Sequence, residues 1–153
     1  MIDLSSLLRN GVVLPKLQVQ SRKQVFHALC GELSTVSNID EREIFDAVMD
    51  RERLGSTGVG EGVAIPHARL EKLSAPLGAF ARLETPVDFE SVDDRPCDLI
   101  FMLLAPLSAG ADHLRALAAV SRAFREASIR AALREAGTQE DVLSVLCSEK
   151  TAA

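Results

Sequence analysis

A chain of 153 residues, 47% hydrophobic and with a formal charge of -5 at pH 7, is long enough to bury one substantial core and short for two ordinary domains. A single domain over residues 1–153 is expected. Mild acidity, with neither Trp nor Tyr to interleave with a basic patch, argues against a nucleic-acid surface. The longest apolar run, Leu99 to Pro106, falls far short of the roughly 20 residues a helix needs to cross a bilayer, so no direct membrane insertion is expected. The opening Met-Ile-Asp-Leu-Ser-Ser-Leu-Leu-Arg-Asn lacks the basic region, long apolar stretch and cleavage site of an export signal. Cys30, Cys97 and Cys147 are odd in number, far apart and among apolar neighbours. That suits reduced thiols in a cytoplasm better than disulfides, and metal-ligand spacing is absent.

After a short opening segment, Val12 to Leu14 reads as a strand, and Ser21 caps a helix on which Val25, Leu29 and Leu33 recur at helical spacing. Ser34 to Asn38 reads as a polar break. Asp40 caps a second helix, with Glu43 completing a capping box and Ile44, Ala47, Val48 and Met49 on its apolar side. That helix should end near Arg51 to Arg53. Glycines at 55, 58, 60 and 62 then break the chain into turns and short strands leading to Val63-Ala-Ile65. Three further strands are expected at Leu77 to Leu83, Val87 to Phe89 and Asp98 to Leu104, the last nearly all apolar and so covered on both faces. Helices follow near Ala111 to Arg125, Ile129 to Ala136 and Gln139 to Cys147, with Gly137 as a stop. The pattern predicts an α/β fold, a single layered domain with a mixed β-sheet flanked by helices.

The stretch from Arg51 to Arg69 carries the chemistry. It sets His67 behind an arginine-led, glycine-rich approach and an apolar run, with Pro66 holding the preceding residue extended. Neutral imidazole is nucleophilic near physiological pH, so the ring would project from a stiff strand end as a nucleophile. The glycines lack the Gly-Lys-Ser/Thr ending of a nucleotide-binding loop, and no carboxylate or histidine stands around His67 at metal-ligand spacing.

Glu52, Val59, Gly60, Val63, Ala64, Ile65, Pro66, His67 and Ala68 match the signature of a known family. In that pattern an acidic or amide residue is followed by spaced aliphatic and small positions and then by aliphatic-Ala-aliphatic-Pro-His-small. The chain resembles the type-2 enzyme IIA domains of the phosphoenolpyruvate-dependent phosphotransferase system (PTS), which comprise mannitol, fructose and nitrogen-regulatory classes. Leu83-Glu-Thr-Pro-Val-Asp-Phe89 and Asp98 to Pro106 resemble later family strands, and Asp112 to Leu117 its second-histidine helix. The stand-alone length is most similar to the nitrogen-regulatory class.

The resemblance implies a mannitol-specific enzyme IIA-like fold and a cytoplasmic phosphocarrier and regulator. It would accept a phosphoryl group on His67 from an HPr-like carrier, with no cofactor. His113 would donate to a phosphoryl oxygen or orient His67 from a helix opening rich in free N–H groups. Arg51 would pair with the phosphoryl oxygens through its planar guanidinium, and Ser56 and Thr57 are possible phosphate contacts. Regulatory targets in the family include potassium-transport and sensor-kinase proteins.

Other readings stand beside these. The chain could be a sugar-transport enzyme IIA passing phosphate to a IIB domain, or a non-catalytic binding module. His113 could be a helix-start residue capped by Asp112, and Arg51 a cation at a helix C-terminus. His27 reads as a packing or surface residue, Cys97 as a small buried hydrophobe, and Arg122, Arg125, Arg130 and Arg134 as a solvated helix face. Glu61 stands where the family commonly has an uncharged residue, and a carboxylate near His67 would favour imidazolium and repel phosphate.

Overall fold

The computed structural model describes residues 3–147; residues 1–2 and 148–153 of the expected domain lie outside them. The element order is α1 (Leu4–Leu8), β1 (Val12–Leu17), α2 (Arg22–Ser37), α3 (Glu41–Arg53), β2 (Gly58–Gly60), β3 (Val63–Ala64), β4 (His67–Leu70), β5 (Leu77–Val87), β6 (Cys97–Pro106), α4 (Ala111–Arg125), α5 (Ala127–Glu135) and α6 (Gln139–Leu146).

The strands form one mixed sheet in the order β1-β5-β6-β3-β2, with β4 also on β6. Strand β6 is its spine: β5 runs antiparallel on one side, while β3 and then β4 run parallel on the other. Successive residues of a strand face opposite ways, and in β6 this divides the core. Ile100, Met102 and Leu104 pack with α2 and α3 residues such as Phe26, Leu29, Ile44 and Val48. Leu99, Phe101 and Leu103 pack instead with Leu4 and Leu7 of α1 and with Val120, Phe124, Leu133 and Leu146 of α4, α5 and α6. Helices therefore cover both faces of the mixed sheet, as an almost wholly apolar central strand requires.

Several elements differ from the expected ones. The opening segment is a helical turn with a capping box between Asp3 and Ser6. The polar run Ser34 to Ser37 stays helical, because Asn38 terminates α2 in the left-handed conformation (φ 61°) that Asn tolerates. Asp40 does cap α3, accepting from the Arg42 amide. Glu43 does not complete a box; its carboxylate pairs with Lys72 at 2.7 Å. The two strands expected between Leu77 and Phe89 are one, β5, with a shift of register on β6 between Arg82 and Val87.

The arginine cluster is not one solvated face. Arg122 and Arg125 are exposed on α4, whereas Arg130 donates to the Phe124 and Arg125 carbonyls at the end of that helix. Arg134 binds both oxygens of Asp98 and the Glu61 carbonyl. Cys30 and Cys97 are buried free thiols, and burial pushes the Cys30 thiol up to about 12, so it behaves as a hydrophobe.

Candidate phosphoryl-transfer site

Pro66 decides where His67 sits. It has no N–H for a ladder bond, and the preceding Ile65 N–H turns to the Thr57 carbonyl (3.0 Å). Pairing with β6 is therefore interrupted after β3. The Leu103 amide then finds the Pro66 carbonyl (2.9 Å), and pairing resumes with His67 opposite Leu103. His67 thus opens its own strand rather than trailing the previous one. Ala68 and Leu70 point into the core, and His67 and Arg69, two apart, share the open face.

Two hydrogen bonds define the ring. Nδ1 lies 2.9 Å from the Ile65 carbonyl oxygen, which can only accept, so Nδ1 carries the proton. The Arg51 Nε–H donates to Nε2 at 3.2 Å, which therefore holds the lone pair. Partial burial lowers the His67 pKa below the ordinary 6.5, and the Arg51 guanidinium lowers it further; the Ile65 carbonyl and the Glu52 carboxylate pull the other way. The result is a neutral imidazole whose unprotonated Nε2 accepts from a fixed cation. Arg51 reaches it from the last turn of α3, while its Nη1 donates to the Gly55 carbonyl at 2.9 Å.

His113 arrives from α4. Its ring centroid is 5.7 Å from that of His67, with the planes inclined by 49°. The residue is buried, and its Nδ1 has no hydrogen-bond partner among the described residues. Burial lowers its pKa, and the neighbouring His67 and Arg69 add to this. Arg51, His67, Arg69 and His113 line one open cleft of about 450 Å³, with Leu54 and Leu107 at its rim. A smaller cavity of about 220 Å³ meets it at Arg51 and His67 and is bordered by Ser56, Thr57, Val59 and Leu117.

Some expected details change. Gly110, not Asp112, holds the N-cap position of α4, and Asp112 pairs with Arg115 at 2.9 Å. The Asp112 and His113 amides are bonded to the Ala109 and Gly110 carbonyls, so His113 offers its ring rather than a free backbone N–H. Ser56 and Thr57 reach the cleft wall with their donors engaged. The Ser56 hydroxyl bonds the Phe89 carbonyl, and both the amide and hydroxyl of Thr57 donate to Glu52. Glu61 lies in a turn at positive φ (58°), where its carboxylate pairs with Arg95 at 3.1 Å and Arg130 at 3.9 Å. The carboxylate that acts on His67 is instead Glu52. His27 stacks on Phe45 at 4.2 Å, on the surface of α2.

Sequence reasoning gave Arg69 and Glu52 no role. The alternation His67-Ala-Arg69 held the signal for the first, since residues two apart share a strand face. Glu52 was visible only as a motif position; its burial comes from tertiary packing.

The layered mixed-sheet fold presents an arginine-flanked, proton-free histidine nitrogen in an open cleft, an arrangement suited to an anionic group. The model of one family, the phosphoenolpyruvate-dependent sugar phosphotransferase system EIIA 2 family, matches residues 6–149, and the chain belongs to that family. It is similar to a nitrogen regulatory protein of Bradyrhizobium diazoefficiens, 45% identical over 145 residues and 95% of each chain. It is 42% identical to a fructose-specific EIIA component of the PTS in Haloferax volcanii, over 71% of each chain. Among solved structures, the nitrogen regulatory protein IIA-Ntr of Neisseria meningitidis superposes with a TM-score of 0.87 at 36% identity. That match covers 94% of this chain and 98% of the other. The domain is thus a phosphotransferase component most like the nitrogen-regulatory class. Among the described residues, no helix is long and apolar enough to cross a membrane.

Proposed function

We propose that this protein is a cytoplasmic phosphocarrier and regulator that accepts a phosphoryl group at Nε2 of His67 from an HPr-like carrier. One observation carries the reading: Nδ1–H is committed to the Ile65 carbonyl, and the Nε2 lone pair faces the Arg51 guanidinium. The Nε2 lone pair forms the bond to phosphorus as the bond to the donor breaks and its electron pair returns to the donor. The His67 ring gains positive charge, which the Ile65 carbonyl stabilises, and remains a good leaving group for onward transfer. Arg51 turns from Nε2 to the phosphoryl oxygens, and the His113 ring supplies a second donor. Positioned positive charge of this kind does most of the work in phosphoryl transfer.

The similarity to nitrogen regulatory proteins over nearly the whole chain supports regulation as the main role. Adding about -2 charge beside exposed Leu54 and Leu107 disfavours a partner that buries this rim in the unmodified form. By family resemblance the targets are potassium-transport or sensor-kinase proteins.

Label transfer tests the reading. With labelled phosphoenolpyruvate, enzyme I and an HPr-like carrier, acid-labile phosphate should map to His67. His67→Ala should fold and take no label. Label retained in that variant, or none in a folded wild type whose carrier phosphorylates another acceptor, would overturn the assignment.

A further inference from the structure

Glu52 is a buried carboxylate, its side chain 2% exposed, to which the phosphoryl chemistry assigns no task. Burying such a charge is unfavourable unless its oxygens are well bonded, and here both face one residue. The Thr57 amide lies 3.2 and 3.3 Å from the two oxygens, and its hydroxyl donates to Oε1 at 2.6 Å. Arg22 approaches from α2 at 3.7 Å. Thr57 in turn accepts the Ile65 N–H on its carbonyl (3.0 Å), and the carbonyl of the same Ile65 accepts the His67 Nδ1 proton (2.9 Å). A chain of bonds thus runs from Glu52 through Thr57 and Ile65 to the nitrogen opposite the nucleophilic one.

We propose that Glu52 is a positioning residue for the acceptor: by pinning Thr57 it orients the Ile65 carbonyl and so holds His67 in the tautomer that leaves Nε2 unprotonated. Arg51 and Glu52, consecutive in the last turn of α3, then govern the two nitrogens of one ring, Arg51 directly and Glu52 through the loop. The Glu52 charge also opposes the effect of Arg51 on His67, which limits how far the basicity of the ring falls. This inference rests on His67 being the acceptor, but its first readout needs no phosphate.

Long-range proton–nitrogen NMR of the full chain, at a pH where His67 is neutral, should show the Nδ1–H tautomer in the wild type and substantial Nε2–H in Glu52→Ala. In carrier-driven label transfer, Glu52→Ala should lower the maximal rate about 10- to 100-fold, the scale of an ångström's misplacement, with little change in the carrier concentration for half-maximal rate. Glu52→Gln keeps one acceptor oxygen for Thr57 and should restore the tautomer and most of the rate, with a lower His67 pKa. A folded Glu52→Ala with wild-type tautomer and rate would reduce Glu52 to a structural residue and overturn the proposal. Should that variant not fold, Glu52→Asp decides, since it keeps the buried charge but is one methylene too short to hold the Thr57 amide and hydroxyl together: a mixed tautomer supports the proposal, and an unchanged one overturns it. A wild type that takes no label refutes the acceptor reading and leaves the tautomer comparison standing.

Discussion

At the scale of single residues, the site depends on which atoms can only donate and which can only accept. A guanidinium Nε–H and a backbone carbonyl, on opposite nitrogens of one imidazole, settle its tautomer. Arg51→Lys keeps the charge but removes the fork that bonds His67 and Gly55 together. Losing a charge-assisted hydrogen bond amounts to about 1.5–3 kcal/mol, so phosphate acceptance should slow by about 10- to 100-fold, measured as the initial rate of labelling. A rate within about twofold of wild type would show that charge alone suffices. That His67, Arg51 and His113 share one cleft was expected from the motif and from resemblance; their roles remain the proposal above. The engaged hydroxyls of Ser56 and Thr57 were not legible in the sequence, because their acceptors, Phe89 and Glu52, are chosen by how the loop packs.

At the scale of elements, the sequence signals that worked were periodicity and capping. The signals that failed were overridden by neighbours. Separate strands were expected at Leu77 to Leu83 and Val87 to Phe89, yet Glu84, Thr85 and Pro86 between them are carried through β5 as exposed positions, since pairing with β6 resumes at Val87 opposite Cys97. The turn between β2 and β3 is tightly specified. Gly62 has φ 79°, and an added Cβ would lie 2.4 Å from Arg134 Nη2 and 2.9 Å from Asp98 Oδ1. Gly62→Ala therefore strains the backbone and disturbs the Arg134–Asp98 pair, which should lower stability by about 1–3 kcal/mol. Thermal unfolding checks this; an unchanged midpoint would mean that the turn relaxes freely.

At the scale of the whole molecule, two layers of helices press the histidines between α3, β4 and α4, and partial burial lowers the pKa of both. The unfolded chain takes up protons below the ordinary value of 6.5 that the native site resists. Their contribution to stability is therefore complete above that value and is lost as pH falls through the lowered native values. Urea midpoints should decline as pH falls below about 6.5, and the decline should be shallower in the His67→Gln, His113→Gln double variant. An equal decline in both would assign it to other groups.

The α/β class, the apolar central strand, most helix boundaries and the strand-end position of His67 could be read from the chain alone, because they follow from local periodicity, caps and a contiguous motif. The burial of Glu52, the pairing of Glu61 away from His67, the approach of His113 and the tautomer of the ring emerge with the folded packing. Those depend on which distant donors and acceptors meet when the sheet and its two helical layers close, and no local pattern in the chain encodes such meetings.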